Sequence, residues 1–316
     1  MSDPSGRRRF LSAAVLSLPL VGGLTACATQ TRGLRANRPA NLPTRVELAD
    51  TPFFPDESFY CGPATVATVL SAAGFPTDPE SVADRVFVPG REGSLQIEML
   101  VAARRGGAVA TVLPGTLESL LQEIAAGHPV VVLSNLGLSW APSWHYAVAI
   151  GYDLDASEML LRSGPMKRQQ MAMRTFEHTW RRANHWAFVA LPPGRLPATA
   201  LEADAVRAMV AFERNAAAEQ AAQAYRAGLK RWPDNLVLAI GLGNASYAAG
   251  DLSGAEAAFR AAAERHSASA AWNNLAVVLD EQGRRPEAIA AARKAVELSA
   301  AGEEGPRETL RRLLGS

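Results

Sequence analysis

Two side chains in this sequence have the types and settings for covalent chemistry. Cys61 lies in Phe59-Tyr60-Cys61-Gly62-Pro63-Ala64, where an irregular segment gives way to an apolar helical run over 62–73. The thiolate is the reactive form of cysteine, and the unpaired N–H groups and positive dipole end of a helix N-terminus favour negative charge there. Pro63 suits the first turn, where its missing N–H removes no bond, and Gly62 gives close access to the sulfur. The N–H of Cys61 would be free to face a developing oxyanion. At an ordinary pKa little of a thiol is ionised at neutral pH, so an imidazole is needed to take its proton. His145, in Trp144-His145-Tyr146-Ala147-Val148, starts an apolar strand that would hold the ring firmly. His128 lies in a Gly-His-Pro turn, His178 and His185 flank a helix, and His266 is far along the chain. The chemistry open to Cys61 with His145 is acyl transfer through a thioester.

Elements that could position this pair are legible on both sides of it. Apolar runs over 129–134, 145–152, 158–162 and 186–191 read as strands, and periodic segments over 62–73, 79–85, 94–105, 116–126 and 175–182 read as helices. Gly74 closes the first helix, Asp78-Pro79 opens the second, Ser94 the third and Thr116 the fourth. This α+β unit spans 44–194. It ends where Pro192-Pro193-Gly194 and Pro197 break the pattern and an alanine-rich helical sequence begins.

From 199 to 316 the chain repeats at a period of about 34 residues, which marks an array of helical hairpins. Ala221, Tyr225 and Pro233 correspond to Ala255 and Phe259, and then to Ala288 and Ala292, with Gly250 and Gly283 at turns. A last helix over 304–314 would cap the stack. The repeat resembles the tetratricopeptide repeat, although Ala292 stands where an aromatic residue is usual. Such an all-α domain implies a protein partner.

The first residues read as an address. Arg7, Arg8 and Arg9 precede an apolar run over 10–24 that is too short to span a bilayer and ends in Leu24-Thr25-Ala26-Cys27. Residues 1–27 are thus expected to be a signal peptide. Its end resembles a lipobox, in which Cys27 becomes the lipid-bearing mature N-terminus, and Arg8-Arg9-Phe10-Leu11 resembles a twin-arginine signal. Residues 28–43, polar with scattered Arg and Pro, are expected to be a tether. This places the protein at the bacterial envelope, lipid-anchored and facing the periplasm, with Ala28 after the cysteine resembling outer-membrane sorting. A net charge of +1 with 20% charged residues offers no basic stripe for nucleic acid. No zinc spacing, phosphate loop or dinucleotide fingerprint occurs, so no cofactor or metal is expected. With Cys27 and Cys61 as its two cysteines, the chain is expected to have no structural disulfide.

Cys61-Gly62-Pro63-Ala64 at a helix start, followed by Trp144-His145-Tyr146-Ala147-Val148 and Gly151-Tyr152-Asp153, resembles the bacteriocin-processing, double-glycine peptidase-like branch of the papain superfamily. The likeness covers about 48–191. Joined to tetratricopeptide repeats, it resembles a type of proteobacterial lipoprotein. The resemblance implies a papain-like cysteine peptidase domain acting on a peptide or protein, with Cys61 as nucleophile and His145 as base. Two positions depart from it. Active members carry a glutamine that donates to the oxyanion a few residues before the cysteine, where this chain has Pro55-Asp56-Glu57; an ionised carboxylate only accepts, which leaves Ser58 as a candidate donor. An Asp directly before a Pro usually orients the imidazole, but here Gly164 precedes Pro165, so Ser163, Asn135 or a backbone carbonyl must do so. These departures leave open a second reading, a catalytically weak or inactive peptidase-like fold that binds peptides and scaffolds an envelope assembly.

Overall fold

The computed structural model describes residues 29–56, 60–88 and 93–315. The expected signal peptide over 1–27, the lipidation candidate Cys27 and the donor candidate Ser58 lie outside the described residues. In chain order the first part contains α1 (Thr29–Ala36), β1 (Arg45–Glu47), α2 (Cys61–Ala72), α3 (Pro79–Val86), β2 (Phe87–Val88), β3 (Gly93–Ser94), α4 (Gln96–Arg105) and β4 (Val109–Val112). It continues with α5 (Leu117–Ala125), β5 (Val130–Asn135), β6 (Trp144–Asp153), β7 (Glu158–Ser163), β8 (Met166–Ala172), α6 (Met173–Arg181) and β9 (Ala187–Leu191).

Seven strands form one antiparallel sheet in the order β4-β9-β5-β6-β7-β8, and β1 pairs with the far end of β6, where Arg45 faces Asp153. All six residues of β5 are buried. Val131 and Leu133 enter the core shared with α2, α3 and α4, whereas Val130 and Val132 enter a second core shared with α5 and α6. Helices on both faces explain why this strand reads as an unbroken apolar run instead of an alternating one. Of this sheet's strands, β1, β4 and β8 carried no sequence signal. β8 is a polar edge strand, Met-Lys-Arg-Gln-Gln-Met-Ala, paired to β7 and with most of its side chains in solvent.

Two expected caps are present: Asp78 Oδ1 accepts from Ser81 N at 2.8 Å and Thr116 Oγ1 from Ser119 N at 3.1 Å. The third helix differs. It starts at Gln96, and Ser94 lies in the two-residue strand β3, paired with Phe87, so it caps nothing. The stretch expected to be a tether also differs. From Thr29 it forms α1, packed between α5 and α6, because the buried Glu177 carboxylate accepts from Gln30 N, Thr31 N and Thr31 Oγ1, the first at 2.9 Å and the second at 2.7 Å. Three donors at an exposed helix start supply what a buried carboxylate needs.

The second part consists of α7 (Glu202–Glu213), α8 (Ala218–Arg231), α9 (Leu236–Ala248), α10 (Leu252–His266), α11 (Ser269–Glu281), α12 (Arg285–Leu298) and α13 (Gly305–Leu314). These are three helical hairpins with a capping helix. Gly250 at φ 77° and Gly283 at φ 76° make the left-handed turns between α9 and α10 and between α11 and α12. Tyr225 and Phe259 are core anchors of the first two units. In the third unit alanine suffices at 292, because Leu313 of α13 fills the same core.

The proline-rich junction is fastened rather than loose. Glu123, fully buried in α5, accepts from Ala198 N at 3.2 Å, Thr199 N at 2.7 Å and Thr199 Oγ1 at 2.6 Å, and lies 2.7 Å from His128 Nδ1. Arg231 of the second part donates back to the carbonyls of Pro197 and Ala198. Val109 of β4 is buried in the same core as Phe212 and Met209.

Candidate functional site

Cys61 is the first residue of α2, a helix buried from Gly62 to Leu70 against the centre of the sheet. That burial fixes the sulfur beside the start of β6. Gly62 is the condition for this packing: a Cβ there would stand 2.1 Å from Ser94 Oγ and 2.7 Å from Ser94 Cβ. Gly62→Ala is expected to destabilise the domain by about 1–3 kcal/mol. Adding Ser94→Gly should recover most of the loss, as urea unfolding of the single and double variants would show.

His145, near the start of β6, lines the same cleft as Cys61, a space of about 910 Å³ bordered also by Leu95, Leu136, Trp144 and Asn184. The ring is held: His145 Nε2 lies 2.9 Å from Ser163 Oγ, which is buried at the end of β7. Of the candidates for orienting the imidazole, Ser163 therefore fills the position. Asn135 does not, since its Oδ1 accepts from Gly137 N at 3.0 Å and Ser143 N at 2.9 Å and shapes the loop before β6. Gly164 has φ 55° and accepts a hydrogen bond from Asp56 N, which ties the segment before Cys61 to the turn after Ser163.

Asp56 is 7% exposed and shares a small cavity with Cys61, Ser163 and Gly164. Its charge reaches both reactive groups. Burial pushes the Cys61 thiol up; nearby backbone N–H groups, that of Tyr146 foremost, pull it down less, and Asp56 raises it further. Burial likewise pushes the His145 imidazole below its ordinary value, with Asp56 acting the other way. The helix terminus does favour the thiolate, through the N–H groups of Gly62 and Cys61, but desolvation and a like-signed neighbour outweigh it, so the thiol is shifted up. At neutral pH these shifts favour a thiol beside a neutral imidazole, not an ion pair.

Two positioning residues carried no sequence signal. Tyr146 sets a backbone N–H toward the sulfur, and its hydroxyl donates to Ser94 O at 3.2 Å. Arg162, buried in β7 next to Ser163, donates to the carbonyls of Ala49 and Thr51 and so anchors the chain that leads to Cys61. An arginine in a strand ordinarily reads as a surface residue. Among the described residues no group of three or more His, Cys, Asp and Glu side chains comes together to hold a metal ion.

Residues 48–188 match the family described as Peptidase_C39 like. No curated protein matches the chain. Among solved structures, a C39-like peptidase from Bacillus anthracis is 18% identical over 47% of this chain and 98% of its own, with a TM-score of 0.41. The peptidase domain of Streptococcus ComA, a bifunctional ABC transporter of a quorum-sensing pathway, is 18% identical over 45% of this chain and 98% of its own, at 0.38. The Sgt2 TPR domain from Aspergillus fumigatus is 18% identical over 36% of this chain and 77% of its own, at 0.34. Residues 48–188 are therefore an α+β domain that matches the Peptidase_C39 like family, and an all-α domain of helical hairpins follows it.

Proposed function

We propose that this protein is an envelope lipoprotein whose α+β domain hydrolyses peptide bonds through Cys61 and His145, while its helical repeats recruit the substrate or a partner complex. The observation that carries the reading is the His145 Nε2 to Ser163 Oγ contact of 2.9 Å on a ring that shares a cleft with Cys61. With Nε2–H donating to Ser163, the lone pair of Nδ1 is the base. Cys61 Sγ attacks the scissile carbonyl as its proton passes to His145 Nδ1, and the Cys61 N–H helps hold the oxyanion. The imidazolium protonates the departing amine, leaving a thioester; water, deprotonated by His145, then releases the acid and restores the thiol. The sequence before the domain supports the rest of the reading: Leu24-Thr25-Ala26-Cys27 and the Arg7–Arg9 cluster motivate a lipid on Cys27, a periplasmic setting and sorting to the outer membrane.

A catalytically weak or inactive peptide-binding scaffold is favoured by one feature, the buried Asp56 beside the sulfur at the place of an oxyanion donor. Incubating the protein with a library of denatured envelope polypeptides, with products read by mass spectrometry, separates the two. Cleavages lost in Cys61→Ala support hydrolysis. A product pattern identical for wild type and Cys61→Ala would leave the scaffold reading.

A further inference from the structure

The mouth of the Cys61 cleft is rimmed by apolar side chains left exposed among the described residues. Between β5 and β6, Leu136, Leu138, Trp140 and Trp144 are exposed, Leu138 at 53% and Trp140 at 82%. The loop is nonetheless built. Leu136 N donates to Ser143 O at 2.8 Å, Leu138 and Ala141 exchange backbone hydrogen bonds, and Asn135 Oδ1 holds the N–H groups of Gly137 and Ser143. Holding a tryptophan in water on a hydrogen-bonded scaffold leaves an apolar surface standing ready for an apolar environment. Leu136 and Trp144 line the cleft, but Leu138 and Trp140, at the tip, do not. An extended substrate in the cleft therefore leaves the most exposed pair unaccounted for.

The same end of the domain receives the first turn of α1. Asn184 lines the cleft, and its neighbour His185 lies 3.4 Å from Gln30 Nε2, in the first turn of α1. Arg182, two residues earlier, donates to Asn135 O at the root of the apolar loop at 2.7 Å. Cys27 precedes Gln30 by three residues, which span at most about 10 Å. A lipid on Cys27 would therefore enter the bilayer close to the Leu136–Trp144 loop, with no free tether between, since α1 is fastened to Glu177. α1 itself bears Arg32 and Arg35, both exposed, and no acidic residue, which suits an anionic headgroup layer.

We propose that the Leu136–Trp144 loop is a membrane-contacting surface that seats on the phospholipid bilayer through Leu138 and Trp140, so that the Cys61 cleft opens at the bilayer surface and meets polypeptides held there. The loop's orientation rests on the lipid reading for Cys27; its affinity for lipid does not, and the test separates them. Because an export signal would bind bilayers by itself, the probe protein starts at Ala28, retains both domains and carries no lipid. It is floated with vesicles of phosphatidylethanolamine and phosphatidylglycerol. The protein should float, and Leu138→Ser with Trp140→Ser should cut the bound fraction roughly tenfold or more. Trp140 emission should be quenched by brominated acyl chains, with that quenching lost in Trp140→Phe. Both side chains are largely in solvent, so an unchanged melting temperature verifies the variants' fold. The proposal is overturned if the unlipidated protein stays unbound, if the double variant floats as wild type does, or if the variant binds vesicles normally yet loses peptide cleavage, which would make the loop a lip for substrate. The mass of the exported full chain reports separately whether Cys27 carries lipid.

Discussion

His145→Ala is expected to slow alkylation of Cys61 by iodoacetamide at neutral pH by about a hundredfold, the low end of what a positioned general base contributes. The expectation follows from the direction of the two shifts. Burial and Asp56 keep the thiol protonated above the ordinary value of 9.0, so little thiolate exists at neutral pH without help. Burial keeps His145 below its ordinary 6.5, so the ring remains a neutral base at neutral pH and accepts the proton during attack. The wild-type profile should therefore have an acid limb below pH 6.5, a plateau that depends on His145, and a second rise above pH 9.0 as free thiolate forms. In His145→Ala the second rise alone should remain. Ser163→Ala should lower the plateau without abolishing it, since the base persists but its ring is no longer held. Ser163→Asp should move the acid limb to higher pH, because an adjacent carboxylate favours imidazolium and raises the ring's pKa. Equal rates across pH for wild type and His145→Ala would show that the imidazole takes no part and would sink the hydrolytic reading.

The second large effect is structural and concerns the junction of the two domains. Glu123→Ala should cost about 3 kcal/mol of unfolding free energy, because it strands the N–H groups of Ala198 and Thr199, the Thr199 hydroxyl and His128 without their shared acceptor. Burial by itself would raise the Glu123 carboxyl, but hydrogen bonds from His128 and Thr199 outweigh it and hold the group below the ordinary value of 4.5. A carboxyl with a depressed folded pKa contributes stability that is complete above its unfolded value and is lost as pH falls through the folded one. The stability difference between wild type and Glu123→Gln should thus be constant above about pH 4.5 and shrink below it. Urea unfolding over that range gives the difference. Amide exchange at Ala198 and Thr199 should rise in Glu123→Ala before either domain unfolds, if the junction is held as the hydrogen bonds indicate. Unchanged exchange would show that the packing of α7 on β4 alone maintains the join.

Much of the fold was legible because burial on both sheet faces makes apolar runs. β5 and β9 are wholly buried and read as strands, and the alanine spacing of α8, α10 and α12 follows from helices that pack closely along one axis. β8 was not legible, because an edge strand in solvent has no apolar pattern to detect. Neither was the docking of α1: Gln30 and Thr31 are ordinary polar residues until Glu177, 146 positions beyond Thr31, is folded beneath them.

By itself the sequence determined the two candidate side chains for covalent chemistry, the elements that bear them and the absence of a carboxylate directly before Pro165. It did so because residue type and short-range spacing record local propensity and the chemistry a group is capable of. Only the tertiary structure decided that Ser163 and not Asn135 holds the imidazole, that Cys61 is shifted up and not down, and that the apolar loop shares one end of the domain with the first turn of α1. Those outcomes depend on which groups distant in sequence become neighbours and on how much water they lose, and neither quantity is written in any short stretch of chain.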